Sequence, residues 1–247
     1  MGNKLEGKRA IVTGGSRGIG AAIARRLAAD GADVVITFAG NQDAANKSVA
    51  AIAATGRSGH AIQADAADPK AQRAAIAAAI EKLGGLDILV HNAGTAEFAT
   101  IDTDPAESFD RQFAVNVDGV FAGTAAAVPL MADGGRIIVI GSINAHSLPV
   151  AGLSIYGATK AAVFGLVRGW ARDLGSRRIL VNVIQPGPID TDLNPADGDF
   201  AAVLKPGIAL GRYGTADEVA ALTAFLASDE ASYITGAAID IDGGFTV

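Results

Sequence analysis

Tyr156 and Lys160 stand four residues apart, which on a helix puts them one turn apart on the same face. Such a pair can manage a proton. A free phenol titrates near about 10, and a neighbouring ammonium stabilises the phenolate and lowers that value. Ser142, at the exit of a β-branched run, offers a hydroxyl to an oxygen held beside them. Upstream, Thr13-Gly14-Gly15-Ser16-Arg17-Gly18-Ile19-Gly20 follows one apolar run and opens an Ala-rich one. Glycines there let the backbone turn sharply and approach a pyrophosphate, while a helix start offers free N–H groups and a positive dipole end. The spacing, Gly-x3-Gly-x-Gly, differs from the usual Gly-x-Gly-x-x-Gly fingerprint.

Other chemistries lack the residues. With no cysteine in 247 residues, disulfides, thiolate catalysis and Cys-bound metals are excluded. The three histidines, His60, His91 and His146, are too far apart for a local metal pair, so no metal is expected. His146 lies four residues after Ser142, but the Gly-x-Ser-x-Gly elbow of a serine hydrolase is missing.

The second apolar run ends Ile36-Thr37-Phe38-Ala39-Gly40, with no acid before Asp43. An acid there would bond a ribose 2′-hydroxyl and repel a 2′-phosphate. Arg17, inside the glycine loop, suits a 2′-phosphate through its guanidinium. Both features point to NADPH.

These residues need a scaffold, and the chain supplies an alternating one. Short apolar runs occur at Ala10–Val12, Val34–Ile36, His60–Ile62, Ile88–Val90, Ile137–Ile140, Val181–Ile184 and Ala238–Ile241, with Ala-rich stretches between them. Runs without polar alternation suit parallel strands buried on both faces. The expectation is one α/β domain over 1–247, a Rossmann-type doubly wound parallel sheet of about seven strands with helices on both faces. Asp68-Pro69, Asp104-Pro105 with Glu107, and Thr215 with Glu218 read as helix starts. Pro186 to Pro206 holds four prolines and reads as one long irregular stretch, a lid over about 186–208. Two long Ala-rich helices, roughly Asp104–Met131 and Leu153–Leu174, carry more apolar surface than one face of a sheet needs, which predicts self-association.

Net charge is −6 with no Lys/Arg cluster, which disfavours nucleic acid. The N-terminus has no apolar signal region, and Glu6 stands where a myristoylation signal needs Ser or Thr. No apolar run reaches the ~18 residues that span a bilayer. A cytoplasmic protein without membrane contact is expected.

The ordered set of motifs resembles the short-chain dehydrogenase/reductase family over essentially the whole chain. It comprises the Thr13–Gly20 loop, Asp65, Asn92-Ala93-Gly94, Asn116, Ser142, Tyr156-x-x-x-Lys160, Pro186-Gly187 and Asp242-Gly243-Gly244. His91 departs from the asparagine common there. The Ser228–Gly236 segment resembles the ketoreductase branch of 3-oxoacyl-carrier-protein reductases and small-ketone carbonyl reductases. Gln185–Asp192 also resembles a bacterial relative described as binding cyclic-di-GMP.

The resemblance implies that Tyr156 gives its proton to a carbonyl oxygen and that Ser142 bonds that oxygen. Lys160 would assist and hold the nicotinamide ribose, and Asn116 would hold a water leading from Lys160 to solvent. Cofactor contacts are expected from Gly14, Ser16, Arg17, Gly18, Ile19, Gly20, Phe38, Ala39, Asp65, Ala66, Asn92, Ala93, Gly94, Tyr156, Lys160, Pro186, Gly187, Ile189 and Thr191. The substrate is expected to meet Ser142, Asn144, His146, Leu148, Val150, Leu153, Tyr156 and Leu193, a mostly apolar wall that favours a small or medium hydrophobic ketone or ketoester. A homotetramer is implied too. Carrier-protein reductases should be basic near the pocket, and here only Arg177 and Arg178 qualify, against Asp133 and the negative net charge. A free substrate is therefore expected over a carrier-bound one.

Overall fold

The computed structural model describes residues 3–103 and 105–247. The seven expected runs all form strands: β1 (Arg9–Val12), β2 (Asp33–Phe38), β3 (Gly59–Gln63), β4 (Leu86–His91), β5 (Met131–Ile140), β6 (Leu180–Pro186) and, at the C-terminal end, Ala238–Ile241. Two short strands precede this last one, β7 (Ile189–Asp190) and β8 (Gly214–Thr215), so Ala238–Ile241 is β9. β1 to β6 and β9 make one parallel sheet in the order β3-β2-β1-β4-β5-β6-β9. This is a single-domain Rossmann-like α/β fold. The order reverses between β1 and β4, and the crevice beyond the strand ends at such a reversal is where ligands bind.

Apolar side chains on both faces of the strands build two cores. One lies under α1 (Gly18–Ala29), α2 (Gln42–Ala53) and a late helix, Ala216–Ala227, with Ile23, Leu27, Ile52, Val219 and Leu226 buried. The other lies under α3 (Pro69–Leu83), α5 (Gly119–Ala127) and α6 (Ser154–Asp173), with Ile76, Val120, Val163 and Val167 buried. α4 (Ala106–Phe113) runs into α5 through a π-helical turn, Ala114–Asp118.

Helix starts follow the sequence. Asp68 accepts hydrogen bonds from the amides of Lys70 and Ala71, with Pro69 at the first helical position. Thr215 and Glu218 form a capping box at the start of Ala216–Ala227. The Asp104-Pro105 reading falls on Asp104, which lies outside the described residues.

Two expectations change. The 186–208 stretch is not irregular throughout. It holds β7, which pairs with β8, and a short helix, α7 (Asp199–Leu204), making Ala216–Ala227 α8. Ala201, Leu204, Ile208 and Tyr213 form a small core of their own there, with Phe245 from the C-terminal end packed on it. In addition, Ala106–Leu130 is one continuous helical run of 25 residues, apolar enough by length and composition to cross a membrane. Gly, Ala and Thr within it hid this from a search for unbroken apolar runs. Val120, Ala122 and Ala127 turn its inner face into the sheet core.

Candidate active site

The glycine loop is shaped by backbone constraints. Gly14 (φ 63°) and Gly18 (φ 52°) occupy the left-handed region. A Cβ on Gly20 would run into the Gly14 carbonyl and the Asn92 amide, so only glycine lets α1 start this close to the loop. Arg17 is the N-cap of α1, exposed at its mouth. Residues after β4 and on α2 hold the loop. Asn92 donates both amide hydrogens, to the carbonyls of Thr13 (3.1 Å) and Gly14 (3.0 Å). Thr13 Oγ1 accepts from the amides of Asn92 and Ala93. Ser48 on α2 donates to the Gly15 carbonyl at 2.7 Å. Sequence reasoning missed Ser48, because an interior hydroxyl carries no motif of its own.

Beside the loop, α1 and α2 bound a cleft of about 670 Å³ lined by Ser16, Arg17, Gly18, Asn41, Lys47 and Ser48, among others. Arg25 also lines it but pairs with Asp217 at 2.5 Å. Lys47 is a second cation near Arg17 that the sequence reading missed. Phe38 and Ile189, expected at the cofactor, bury their side chains in the sheet core, leaving only their backbone toward the crevice. A strand residue next to an exposed end still alternates inward, and Ala39, the following residue, is the exposed one. Thr191 does face the loop, since a Cβ on Gly18 would lie 3.5 Å from its methyl. Asp65 is exposed past β3, where its carboxylate accepts from the Ala67 amide at 2.9 Å. Ala66 lies against α5, since a Cβ on Gly119 would strike its carbonyl, and Gly187 is pressed against Asp242.

Asn116, Ser142, Tyr156 and Lys160 converge beyond the ends of β4 and β5. Lys160 is buried, and its Nζ donates to the Ile140 carbonyl at 3.1 Å and lies 5.5 Å from the centre of the Tyr156 ring. A Cβ on Gly94 would lie 3.3 Å from Asn116 Oδ1 and 3.5 Å from Lys160 Nζ, so this glycine lets the two approach one another. The Asn116 side chain is fully engaged: Oδ1 accepts from the Thr95 amide, and Nδ2 donates to the Thr95 carbonyl and to Thr159 Oγ1. The π-helical turn that carries Asn116 is a frequent device at functional sites. Gln185, another unforeseen residue, accepts from the Ser142 amide at 3.2 Å and is itself buried. Ser142 Oγ accepts from the Asn144 amide at 3.1 Å.

Burial controls the titration of this cluster. It pushes the Lys160 ammonium down to about 8. It pushes the Tyr156 phenol up, with a hydrogen bond to Ser142 pulling the other way.

The expected substrate wall is only partly assembled. Leu193 lines a cavity of about 490 Å³ with Phe98, Asn194, Pro195, Gly198, Asp199 and Phe200. Leu153 is buried and Val150 half-buried, while Leu148 lies over the start of α6, where a Cβ on Gly157 would meet its methyl at 2.7 Å. His146 is exposed, its Nε2 turned to Asp240 of β9 at 3.3 Å, so it sits at the sheet edge and not on this cavity. Among the described residues no cluster of His, Asp and Glu is arranged to hold a metal.

A family model described as enoyl-(acyl carrier protein) reductase matches residues 14–246. The chain belongs to the short-chain dehydrogenase/reductase family and is an NADP(H)-dependent oxidoreductase. It is 46% identical over 97% of both chains to the cyclic-di-GMP-binding biofilm dispersal mediator protein of Escherichia coli (strain K12). It is 39% identical to versicolorin reductase 1 of Aspergillus parasiticus, over 98% of this chain and 97% of that one. Among solved structures, a short-chain dehydrogenase from Burkholderia cenocepacia J2315 in complex with NADP superposes with a TM-score of 0.97 at 50% identity, covering 99% and 100% of the two chains.

Proposed function

We propose that the chain is an NADPH-dependent carbonyl reductase acting on a small or medium hydrophobic ketone or ketoester. The observation that carries this reading is the convergence of Asn116, Ser142, Tyr156 and Lys160 beyond the ends of β4 and β5, with Lys160 Nζ 5.5 Å from the centre of the Tyr156 ring. When bound, NADPH supplies the hydride. The exposed N–H groups at the start of α1 and the guanidinium of Arg17 hold its phosphates. Ser142 bonds the carbonyl oxygen, and Tyr156 gives that oxygen its proton. Lys160, when charged, stabilises the phenolate left behind. With Oδ1 and both amide hydrogens engaged, the Asn116 side chain fixes the π-helical turn beside Lys160. Tyr156→Phe removes the proton with little loss of surface. It should lower turnover about 10²-fold or more while NADPH binding survives. Near wild-type turnover in that variant would refute the mechanism.

The reading favours free substrates over carrier-bound ones. Arg177, one of two candidate docking cations, is engaged by Asp133 and by the carbonyls of Val128 and Met131. A tenfold preference in kcat/KM for a carrier-bound β-ketoacyl group, worth about 1.4 kcal/mol, would restore the 3-oxoacyl-carrier-protein reductase reading. The similarity to the E. coli mediator protein supports a second reading, nucleotide sensing on the same scaffold. The complete Asn116, Ser142, Tyr156 and Lys160 set favours the enzyme. Calorimetric titration with cyclic-di-GMP, with and without NADPH, separates the two. We further propose a cytoplasmic homotetramer, for which the exposed Phe109 and Phe121 on the Ala106–Leu130 helix offer contact surface.

A further inference from the structure

Ser142 needs a backbone partner that the sheet does not supply. β5 ends at Ile140, and beyond it the Gly141 amide still donates to the Ile184 carbonyl of β6 at 2.7 Å. Ser142 is extended (φ −169°, ψ 150°) and caps the short 3-10 turn Ile143–Ala145, so its own amide belongs to neither element. A buried N–H without a partner is costly. Gln185 of β6 meets this need, its Oε1 accepting from the Ser142 amide at 3.2 Å. Gln185 is 1% exposed and Ser142 7%, so the bond lies away from solvent. Gly141 makes room for it, since a Cβ there would lie 2.9 Å from Gln185 Oε1.

The hydroxyl itself is oriented from within the turn. Ser142 Oγ accepts from the Asn144 amide and donates to Asn144 Oδ1, both at 3.1 Å. These bonds aim the hydroxyl relative to its own backbone and do not fix where that backbone stands. A second tie to the sheet lies at the far end of the turn: His146 Nε2 is 3.3 Å from Asp240, the register partner of Gln185 on β9. That pair is exposed and screened by water, so it holds little. The buried Gln185 contact is the tie that sets the position of Ser142. It also joins the serine to the strand that ends at Pro186, next to Gly187, the segment expected at the cofactor.

We propose that Gln185 is a positioning residue for the reduction, holding Ser142 where its hydroxyl meets the carbonyl oxygen. The proposal rests on the carbonyl-reductase reading. Without the Gln185 oxygen, the Ser142 amide has to shift or admit water, and the hydroxyl moves with it. A hydrogen bond weakens steeply once its length and angle leave the optimum, so a small shift is enough to slow the reaction. Gln185 bonds the Ser142 backbone and no reacting atom, so its effect on rate passes through Ser142. The glycine loop, on the other side of the sheet order at β1, is untouched by the change.

The test is a double-mutant cycle on ketone reduction at saturating NADPH, with kcat counted per NADPH-binding site so that unfolded protein does not enter. Gln185→Met keeps the length of the side chain and removes the acceptor. It should lower kcat about tenfold and leave the KM for NADPH unchanged. Gln185→Glu keeps an oxygen in the same place and should recover most of that loss. In a Ser142→Ala background, Gln185→Met should change kcat by no more than about twofold, because the group it positions is gone. A further tenfold drop there, which a merely structural role would produce, overturns the proposal. So does wild-type turnover in Gln185→Met, or a glutamate variant as slow as the methionine one. Amide hydrogen exchange in the wild type decides the matter even if neither variant folds: the Ser142 amide should be as protected as that of Gly141, and rapid exchange overturns the proposal. The underlying reading fails in a different way. If the wild type reduces no ketone in a panel of aryl ketones and β-ketoesters, the carbonyl-reductase reading is refuted and the proposal falls with it. If the wild type reduces them and Gln185→Met is equally fast, the positioning role alone is refuted.

Discussion

Replacing His91 with asparagine should flatten the acid side of the stability curve. His91 ends β4 and is buried, its Nε2 2.9 Å from Thr124 Oγ1 on α5. Gly123 makes room for the ring, since a Cβ there would lie 2.7 Å from His91 Cε1. Burial disfavours the imidazolium and pushes the pKa from 6.5 to about 4. Between those values the unfolded chain holds a proton that the folded one refuses. Stability therefore rises with pH across this window and is lost as pH falls through it. From 6.5 down to pH 5 is about 1.5 units, and at about 1.4 kcal/mol per unit the loss is about 2 kcal/mol. Carboxylates such as Glu97 and Glu218, both held at about 2 by arginine partners, add their own losses at lower pH, equally in both proteins. Asparagine can still donate to Thr124 and cannot titrate. Urea unfolding of wild type and His91→Asn at pH 7 and pH 5, followed by circular dichroism, measures the difference. The wild type should lose about 2 kcal/mol more than the variant over that interval. Equal losses would mean that His91 is not the buried neutral base described.

The titration of Lys160 gives a kinetic counterpart: with its ammonium lost above about 8, kcat/KM for reduction should decline as pH rises through that value, and a flat profile to pH 9.5 would remove Lys160 from the proton step. Arg17→Ala should weaken NADPH more than NADH, and Ala39→Asp should shift preference toward NADH. Ala39 is the position for that carboxylate because its side chain is exposed, while that of Phe38 is buried. Equal loss of both cofactors in the arginine variant would mean that Arg17 does not read the 2′-phosphate. Light scattering at micromolar concentration should report four subunits, and a monomeric mass would refute the assembly proposed.

The strands were legible because a sheet covered on both faces needs unbroken apolar runs, and each of the seven runs became one. Tyr156, Lys160 and the glycine loop were legible because their chemistry depends on local spacing, which sequence preserves. Residues acting across long separations were not. Gln185 reaches Ser142 from a neighbouring strand, and Thr159 reaches Asn116 from another helix, with no pattern along the chain to betray either. Phe98 and Phe200 read as two unrelated aromatics until α7 brought them together. The surroundings of Tyr156 were hidden for a similar reason, since spacing shows a neighbouring cation but not that burial pushes the phenol up.

The small core under α7 has an evolutionary consequence. Ala201, Leu204, Ile208 and Tyr213 pack with Phe245 apart from the two cores of the sheet. Substitutions far apart with no shared partners act nearly independently on stability. Mutations in this segment can therefore accumulate, and new ligand preferences can be sampled, while the cofactor platform keeps its folding free energy. Diversification in descendants of this chain should concentrate between Leu193 and Tyr213, with the strand ends and glycine loop held nearly constant.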